Sequence, residues 1–255
     1  MGLLTFLSDF GYTDHYVAAV KAKILSLDPS VLIVDVSHGI EPFNLAHGVQ
    51  VLRAAYPSFP EGTVHLVAVD SHGSRDNRYL AIRYHQHFFV APDNGILSLL
   101  TESAPEEMVE ISASSLTSSP TVDILAPAAL QLAQTGSLAH VGEKTNRLHE
   151  LLNRQLTLGD HTINGHVIHV DHYGNLITDI TRDSIEAIAH GRSCTIHFAR
   201  ETVSRIQSRY TQADDGDCVC IYNNQGQLCI GINKGNASEL LGLSFDSQVD
   251  VRFYD

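Results

Sequence analysis

Carboxylates collect where short apolar runs end. Residues 3–7 run into Ser8-Asp9-Phe10-Gly11, residues 31–37 carry Asp35, residues 63–70 close on Asp70, and Pro92-Asp93-Asn94-Gly95 follows another run. In an open α/β sheet, ligands sit at the carboxyl ends of the strands. A phosphate there would want glycines and bare backbone N–H groups. Carboxylates repel phosphate and suit ribose hydroxyls, an ammonium or another cation. One strand-end aspartate is usually structural, whereas several at one edge of a sheet form a polar site. Near them in sequence stand the aromatics Phe10 and Phe43, and VDHYGN later adds Asp171, Tyr173 and Asn175. The set fits a small ligand with hydroxyls, a positive charge and an aromatic base. Asp9 and Asp14 also have plainer readings, as a solvated turn residue and a helix cap.

These residues need strands and helices to position them. After the first turn, Tyr16, Val17, Val20 and Ile24 recur at helical spacing, which predicts a helix with Thr13 or Asp14 as its N-cap. Residues 31–37 read as a buried-type strand. A helical pattern through Leu45, Val49, Leu52 and Ala55 ends at Pro57 and Pro60. Residues 63–70 form another apolar strand, 79–84 and 87–91 form two more hinged at Gln86, and 96–102 and 126–134 are helical. Near-continuous apolar strands between helices predict an α/β domain whose mostly parallel sheet is covered by helices on both faces. From residue 163 the pattern changes to short alternating strands separated by turns such as Asn224-Gln225-Gly226, an all-β, barrel-like domain. The expected boundaries are 1–142 for the α/β domain, 143–162 for a linker and 163–255 for the β domain.

Over 255 residues, a net charge of −13 argues against a nucleic-acid partner or a polybasic membrane surface. No apolar run reaches the roughly 20 residues that span a bilayer, and a cytoplasmic protein is expected. Cys194, Cys218, Cys220 and Cys229 form no C-x-x-C pair, and the fifteen histidines form no ligand cluster, so no metal is expected. His85 and His87 are expected on the surface of a strand.

Taken together, SDFGYTDHYVAAVKAKI, VDVSHGIEPFNLAHGV, YPSFPEGTVHLVAVD, APDNGILSLL, VDHYGNLITDI and NNQGQLCIGINKGNASELLG resemble, in order, the S-adenosylmethionine hydroxide adenosyltransferase family, relatives of fluorinase and chlorinase. The resemblance implies an α/β domain followed by a β-barrel, assembled as a homotrimer with sites between subunits. It implies S-adenosylmethionine as substrate, with no cofactor, attacked at ribose C5′ to release methionine. Water as nucleophile yields adenosine, and a halide yields a 5′-halo nucleoside. Carried over by position, Asp9 would hold the ribose hydroxyls, Asp14 would face the methionine ammonium, and Phe43 and Asn94 would belong to the substrate pocket. From the second domain, Asp171 would bind the methionine end and Tyr173 and Asn175 the adenine. Asn224 would lie near the methionine carboxylate. Tyr173 and Asn175 also read simply as a Tyr-Gly-Asn turn.

Two segments depart from the family. Its hydrolases resemble V-D-P-G-V-G-x-x-R and, much later, F-H-G-R-D, whose Asp, Arg and His are thought to position the attacking water. Here the first segment reads Val69-Asp70-Ser71-His72-Gly73-Ser74-Arg75-Asp76-Asn77-Arg78. Asp70 matches, and the arginine position falls on Asn77, with Arg75 and Arg78 to either side. The second reads Ser119-Pro120-Thr121-Val122-Asp123, with proline in the histidine's place and valine in the arginine's. Water, with a pKa of about 15.7, gains from a base or from firm orientation, while the sulfonium is already a good leaving group. Asp70 is the expected base, His72, Arg75 and Arg78 are candidate partners, and Thr121 falls where halogenases resemble a halide-binding serine. Asp70 beside an incoming anion would oppose halide. Hydrolysis is the first reading, a barely catalytic or inactive binder the alternative, and a halogenase the less favoured third.

Overall fold

The computed structural model describes residues 2–74, 76–112, 117–152 and 156–254. The chain divides into two compact units, residues 1–153 and 154–255.

The first unit runs β1 (Leu3–Ser8), α1 (Tyr16–Leu27), β2 (Leu32–Ser37), α2 (Leu45–Ala55), β3 (Val64–Ala68), β4 (Tyr79–Tyr84), β5 (His87–Pro92), α3 (Ile96–Leu100), β6 (Glu107–Ile111), α4 (Ala126–Thr135) and β7 (Gly142–Lys144). Its seven strands lie in the order β2-β1-β3-β5-β4-β6-β7. Side chains alternate across the sheet. Leu4, Phe6, Leu66 and Val90 pack with Val20 and Ile24 of α1 and Leu132 of α4. Leu7, Val67 and Phe89 pack on the other face with Leu52 of α2 and Leu97 of α3.

The sheet is mixed rather than mostly parallel. β2, β1, β3 and β5 are parallel, but β4 pairs antiparallel with β5 and β6, and β6 with β7. Only His85 and Gln86 join β4 to β5, both at positive φ (47° and 64°). A two-residue link forces an antiparallel hairpin. β2 is also not fully buried: it is the edge strand, and Leu32 is 54% exposed. Helix α1 starts one residue later than expected. His15 takes the N-cap position without a side-chain bond, and Thr13 and Asp14 lie exposed before it. Asn44 caps α2 by accepting from His47 N (3.0 Å), and Gly136, at φ 62°, ends α4.

His87 corrects the surface expectation. It is buried, and its Nδ1 lies 3.1 Å from His65 Nε2, while Thr5 Oγ1 lies 2.7 Å from His65 Nδ1. Burial, reinforced by His87, pushes the His65 pKa down to about 3. An unfolded chain therefore takes up a proton near pH 6.5 that the folded chain refuses. Stability from this group is complete above pH 6.5 and declines as pH falls toward 3, by up to about 5 kcal/mol. Chemical unfolding at stepped pH should show this slope, and His65→Asn should flatten it.

The second unit runs β8 (Thr157–Leu158), β9 (Thr162–Val170), β10 (Leu176–Thr181), α5 (Arg182–Ala189), β11 (Ser193–Phe198), β12 (Glu201–Val203), β13 (Ile206–Gln207), β14 (Cys218–Tyr222), β15 (Gln227–Ile232), α6 (Ala237–Leu241) and β16 (Gln248–Tyr254). Its sheet follows β12-β11-β16-β9-β10-β15-β14-β13, with β8 beside β9. β12 also lies against β14, so the sheet curls back on itself. The core includes Ile163, Val167, Leu176, Phe198, Ile230 and Val251. Two short helices mean the unit is not purely β. Thr181 starts α5 with a reciprocal cap, its side chain accepting from Ser184 N while Ser184 Oγ accepts from Thr181 N. Residues 142–162, most of them expected as a linker, carry β7, which extends the first sheet beside β6, and β8, which belongs to the second.

Candidate active site

The site is built around one carboxylate oxygen. Asp9, just beyond β1, accepts through Oδ2 from Phe43 N (2.9 Å) and from Asp70 N (3.0 Å). Both donors have left-handed backbones, at φ 63° and 47°. Such conformations are uncommon outside glycine and persist where their surroundings hold them. Asp9 thus ties the loop before α2 to the loop after β3, and leaves Oδ1 without a protein hydrogen bond among the described residues.

Asp70 is shaped from below. Gly73 N donates to Asp70 O (2.8 Å), and a Cβ at Gly73 would collide with Asp70 Oδ2. The absent side chain at 73 makes room for the carboxylate. Asn94 holds the same loop: its Nδ2 donates to Val69 O and Asp70 O (3.0 Å each), and its Oδ1 accepts from Ile96 N (3.1 Å). Asn94 thus braces the Asp70 loop and does not line the cavity.

A cavity of about 530 Å³ opens over these loops. Of the residues singled out from sequence, Asp9, Phe43, Asp70, His72 and Thr121 line it. Phe10, Tyr16, Pro42, Pro120 and Val122 supply apolar wall, and Ser71 adds a hydroxyl. Phe43, 74% exposed, offers its ring to whatever enters. Burial, then the neighbouring Asp9, raises the Asp70 pKa above its ordinary value, while His72 pulls it the other way. Among the described residues no lysine or arginine forms an ion pair with Asp9 or Asp70. Two close carboxylates that no described lysine or arginine neutralises favour a positively charged ligand.

The other strand-end carboxylates go elsewhere. Asp35 pairs with Lys21 (2.6 Å) and His38 (3.2 Å). Asp93 receives Arg78 Nη1 (2.7 Å) and His149 N (2.8 Å). Arg78 also donates from Nε to Glu110 (3.0 Å) and from Nη2 to Arg147 O (2.9 Å). Its guanidinium is engaged inside the unit and, expected as a partner of Asp70, does not line the cavity. Asp14 sits exposed on the loop before α1 and does not line the cavity either. Arg75 lies outside the described residues.

In the second unit, Asp171 builds a turn. Its Oδ1 accepts from Tyr173 N and Asn175 N, and its Oδ2 from Asn175 Nδ2, all at 2.9 Å. Asp171, expected at the methionine end of the ligand, holds the turn that presents Tyr173 and Asn175. Those two line a cavity with Tyr210, Lys234 and Asn236. Asn224 lines a different one, which shares Tyr210. Ser71 and Tyr210 escaped the sequence reading. Ser71 had a signal in its adjacency to Asp70, whereas Tyr210, alone in a polar stretch, had none. Among the described residues no three His, Cys, Asp or Glu side chains converge to hold a metal.

Family models for the N-terminal and C-terminal domains of S-adenosylmethionine hydroxide adenosyltransferases match residues 4–142 and 165–250. The chain belongs to this hydroxide adenosyltransferase family. It is 26% identical to the (R)-S-adenosyl-L-methionine hydrolase of Methanocaldococcus jannaschii, covering 98% of this chain and 96% of that protein. It is 29% identical to the hydrolase of the same name from Thermus thermophilus, over 93% and 94%. A fluorinase from Actinopolyspora mzabensis is 26% identical over 91% and 90%. Among solved structures, a conserved protein of Thermotoga maritima superposes with a TM-score of 0.88 at 28% identity, covering 98% of this chain and 99% of that one. Against the hydroxide adenosyltransferase hydrolase pattern, Pro120 and Val122 put apolar surface where the resemblance expects histidine and arginine, and both line the cavity.

Proposed function

We propose that this family member hydrolyses S-adenosylmethionine at ribose C5′, giving adenosine and L-methionine. The observation that carries this reading is the Asp9–Asp70 pair, linked by a hydrogen bond at the wall of an apolar cavity and without a lysine or arginine ion pair among the described residues. The sulfonium supplies the missing positive charge. Asp9 keeps Oδ1 for a ribose hydroxyl, Phe43 covers the sugar, and the raised pKa makes Asp70 a better proton acceptor than an exposed carboxylate. Attack and departure are in line, and an apolar wall that excludes water at C5′ favours dispersal of the sulfonium charge. S-adenosylmethionine is then a substrate, and the step calls for neither a cofactor nor a metal.

In the same reading the protein works as a homotrimer. Tyr173 and Asn175 of a neighbouring subunit contact adenine, and its Asn224 approaches the methionine carboxylate. Asp14 and Asp171 act at a distance from the reacting atoms.

The test is to incubate the pure protein with S-adenosylmethionine in ¹⁸O-labelled water and follow adenosine by chromatography and mass spectrometry. Label in the 5′-hydroxyl is expected. With chloride present, no 5′-chloro nucleoside should form, because Asp70 repels an incoming anion. A second reading, a binder without turnover, is favoured by Pro120, Val122 and the sequestered Arg78. Calorimetric binding with no adenosine above the buffer rate would establish it and sink the hydrolase.

A further inference from the structure

Ser71 and Thr121 come from different parts of the first unit. Ser71 follows Asp70 in the loop after β3, and Thr121 opens a π-turn, Thr121–Leu125, that leads into α4. The wide turn closes when Ala126 N donates to Thr121 O. Such turns are rare and recur at functional sites. The two hydroxyl oxygens lie 2.9 Å apart. Thr121 is 3% exposed and Ser71 8%, yet both line the cavity beside Asp70.

A pair of hydroxyls carries two protons. The bond between them uses one, and the other has no acceptor among the described residues. Buried polar hydrogens are rarely left without a partner, and both hydroxyl residues line the cavity.

We propose that the Ser71–Thr121 couple fixes the attacking water against Asp70, a role the resemblance gives to a histidine and an arginine that this chain lacks in those places. The inference rests on the hydrolytic reading. One hydrogen of the water points to the Asp70 carboxylate. One lone pair of its oxygen accepts the couple's unclaimed proton, and the other faces C5′. As the O–C5′ bond forms, the C5′–S bond breaks and its electron pair returns to sulfur, which leaves as the neutral thioether of methionine. The water's proton passes to Asp70 and then to solvent. The couple donates throughout and takes no proton, so it orients the nucleophile without competing as a base.

Steady-state kinetics of Thr121→Val and Ser71→Ala, with calorimetric affinity for S-adenosylmethionine and thermal melting alongside, test this. Each variant should lose at least about tenfold in kcat with KM and Kd within about twofold. Because the two hydroxyls act as one unit, the double variant should fall little below the worse single one. Thr121→Ser, which keeps the oxygen, should stay within about threefold of the parent. Should Thr121→Val fail to fold, Ser71→Ala in the loop after β3 carries the same comparison. A kcat within twofold of the parent, or a loss shared equally by kcat, affinity and melting temperature, overturns the couple while leaving hydrolysis intact. A parent protein that binds S-adenosylmethionine but releases no adenosine overturns the hydrolytic reading itself and the couple with it.

Discussion

Asp70→Asn is expected to lower the turnover of S-adenosylmethionine by about 10³-fold, with affinity changed far less. The variant isolates chemistry from shape. Residue 70 sits at φ 47°, a conformation that asparagine tolerates about as well as aspartate. Its N–H still donates to Asp9, and its carbonyl still receives Gly73 N and the Asn94 amide. What disappears is the proton acceptor. The pH profile supplies a second readout. Because burial and Asp9 raise the Asp70 pKa, the acid limb of kcat/KM should lie above the ordinary carboxylate value. Activity is present above that limb and lost as pH falls through it. A fully active variant, or an acid limb unchanged in residual activity, would remove Asp70 from the proton-accepting role.

Arg78→Met should cost about 3–5 kcal/mol of folding stability, the usual penalty for leaving one partner of a buried ion pair alone. Arg78 gives Nη1 to Asp93, Nε to Glu110 and Nη2 to the Arg147 carbonyl. Asp93 is 6% exposed and would keep only the His149 N–H. For a chain of this size the melting temperature should drop by about 10 °C. Arg78→Lys should recover little, because one ammonium cannot serve three acceptors fixed around a planar fork. Below the new transition, kcat per folded molecule should stay close to the parent value. A stable but inactive Arg78→Met protein would return Arg78 to the chemistry.

The sequence made Asp9, Asp70 and Phe43 legible because a strand end, a turn and an exposed aromatic are local features. Their joint hydrogen bond was not legible, since residues 9, 43 and 70 meet only through tertiary packing and two left-handed backbones. The same limit explains Asn94 and Asp171. Each has the right chemistry for a ligand, but each is engaged by groups within a few residues or on an adjoining loop. Arg78 looked available because its partners at 93, 110 and 147 are far apart in the chain. The sheet's mixed direction hid in His85-Gln86, where nothing in a two-residue hinge between apolar runs looks unlike a crossover until its length is weighed. The second unit's alternating strands were plain, whereas the curl that brings β12 against β14 depends on contacts no local pattern encodes.

The shared oxygen of Asp9 has a practical meaning for anyone reshaping this cavity. Positions 43 and 70 are one choice rather than two. A β-branched residue at either would resist its left-handed backbone and pull its N–H off Asp9, so the shared oxygen would no longer tie the two loops together. Libraries that randomise one position alone would mostly return collapsed pockets. Those that leave both untouched and vary Tyr16, Pro42 or Val122 on the wall would explore new substrates on a frame that still holds.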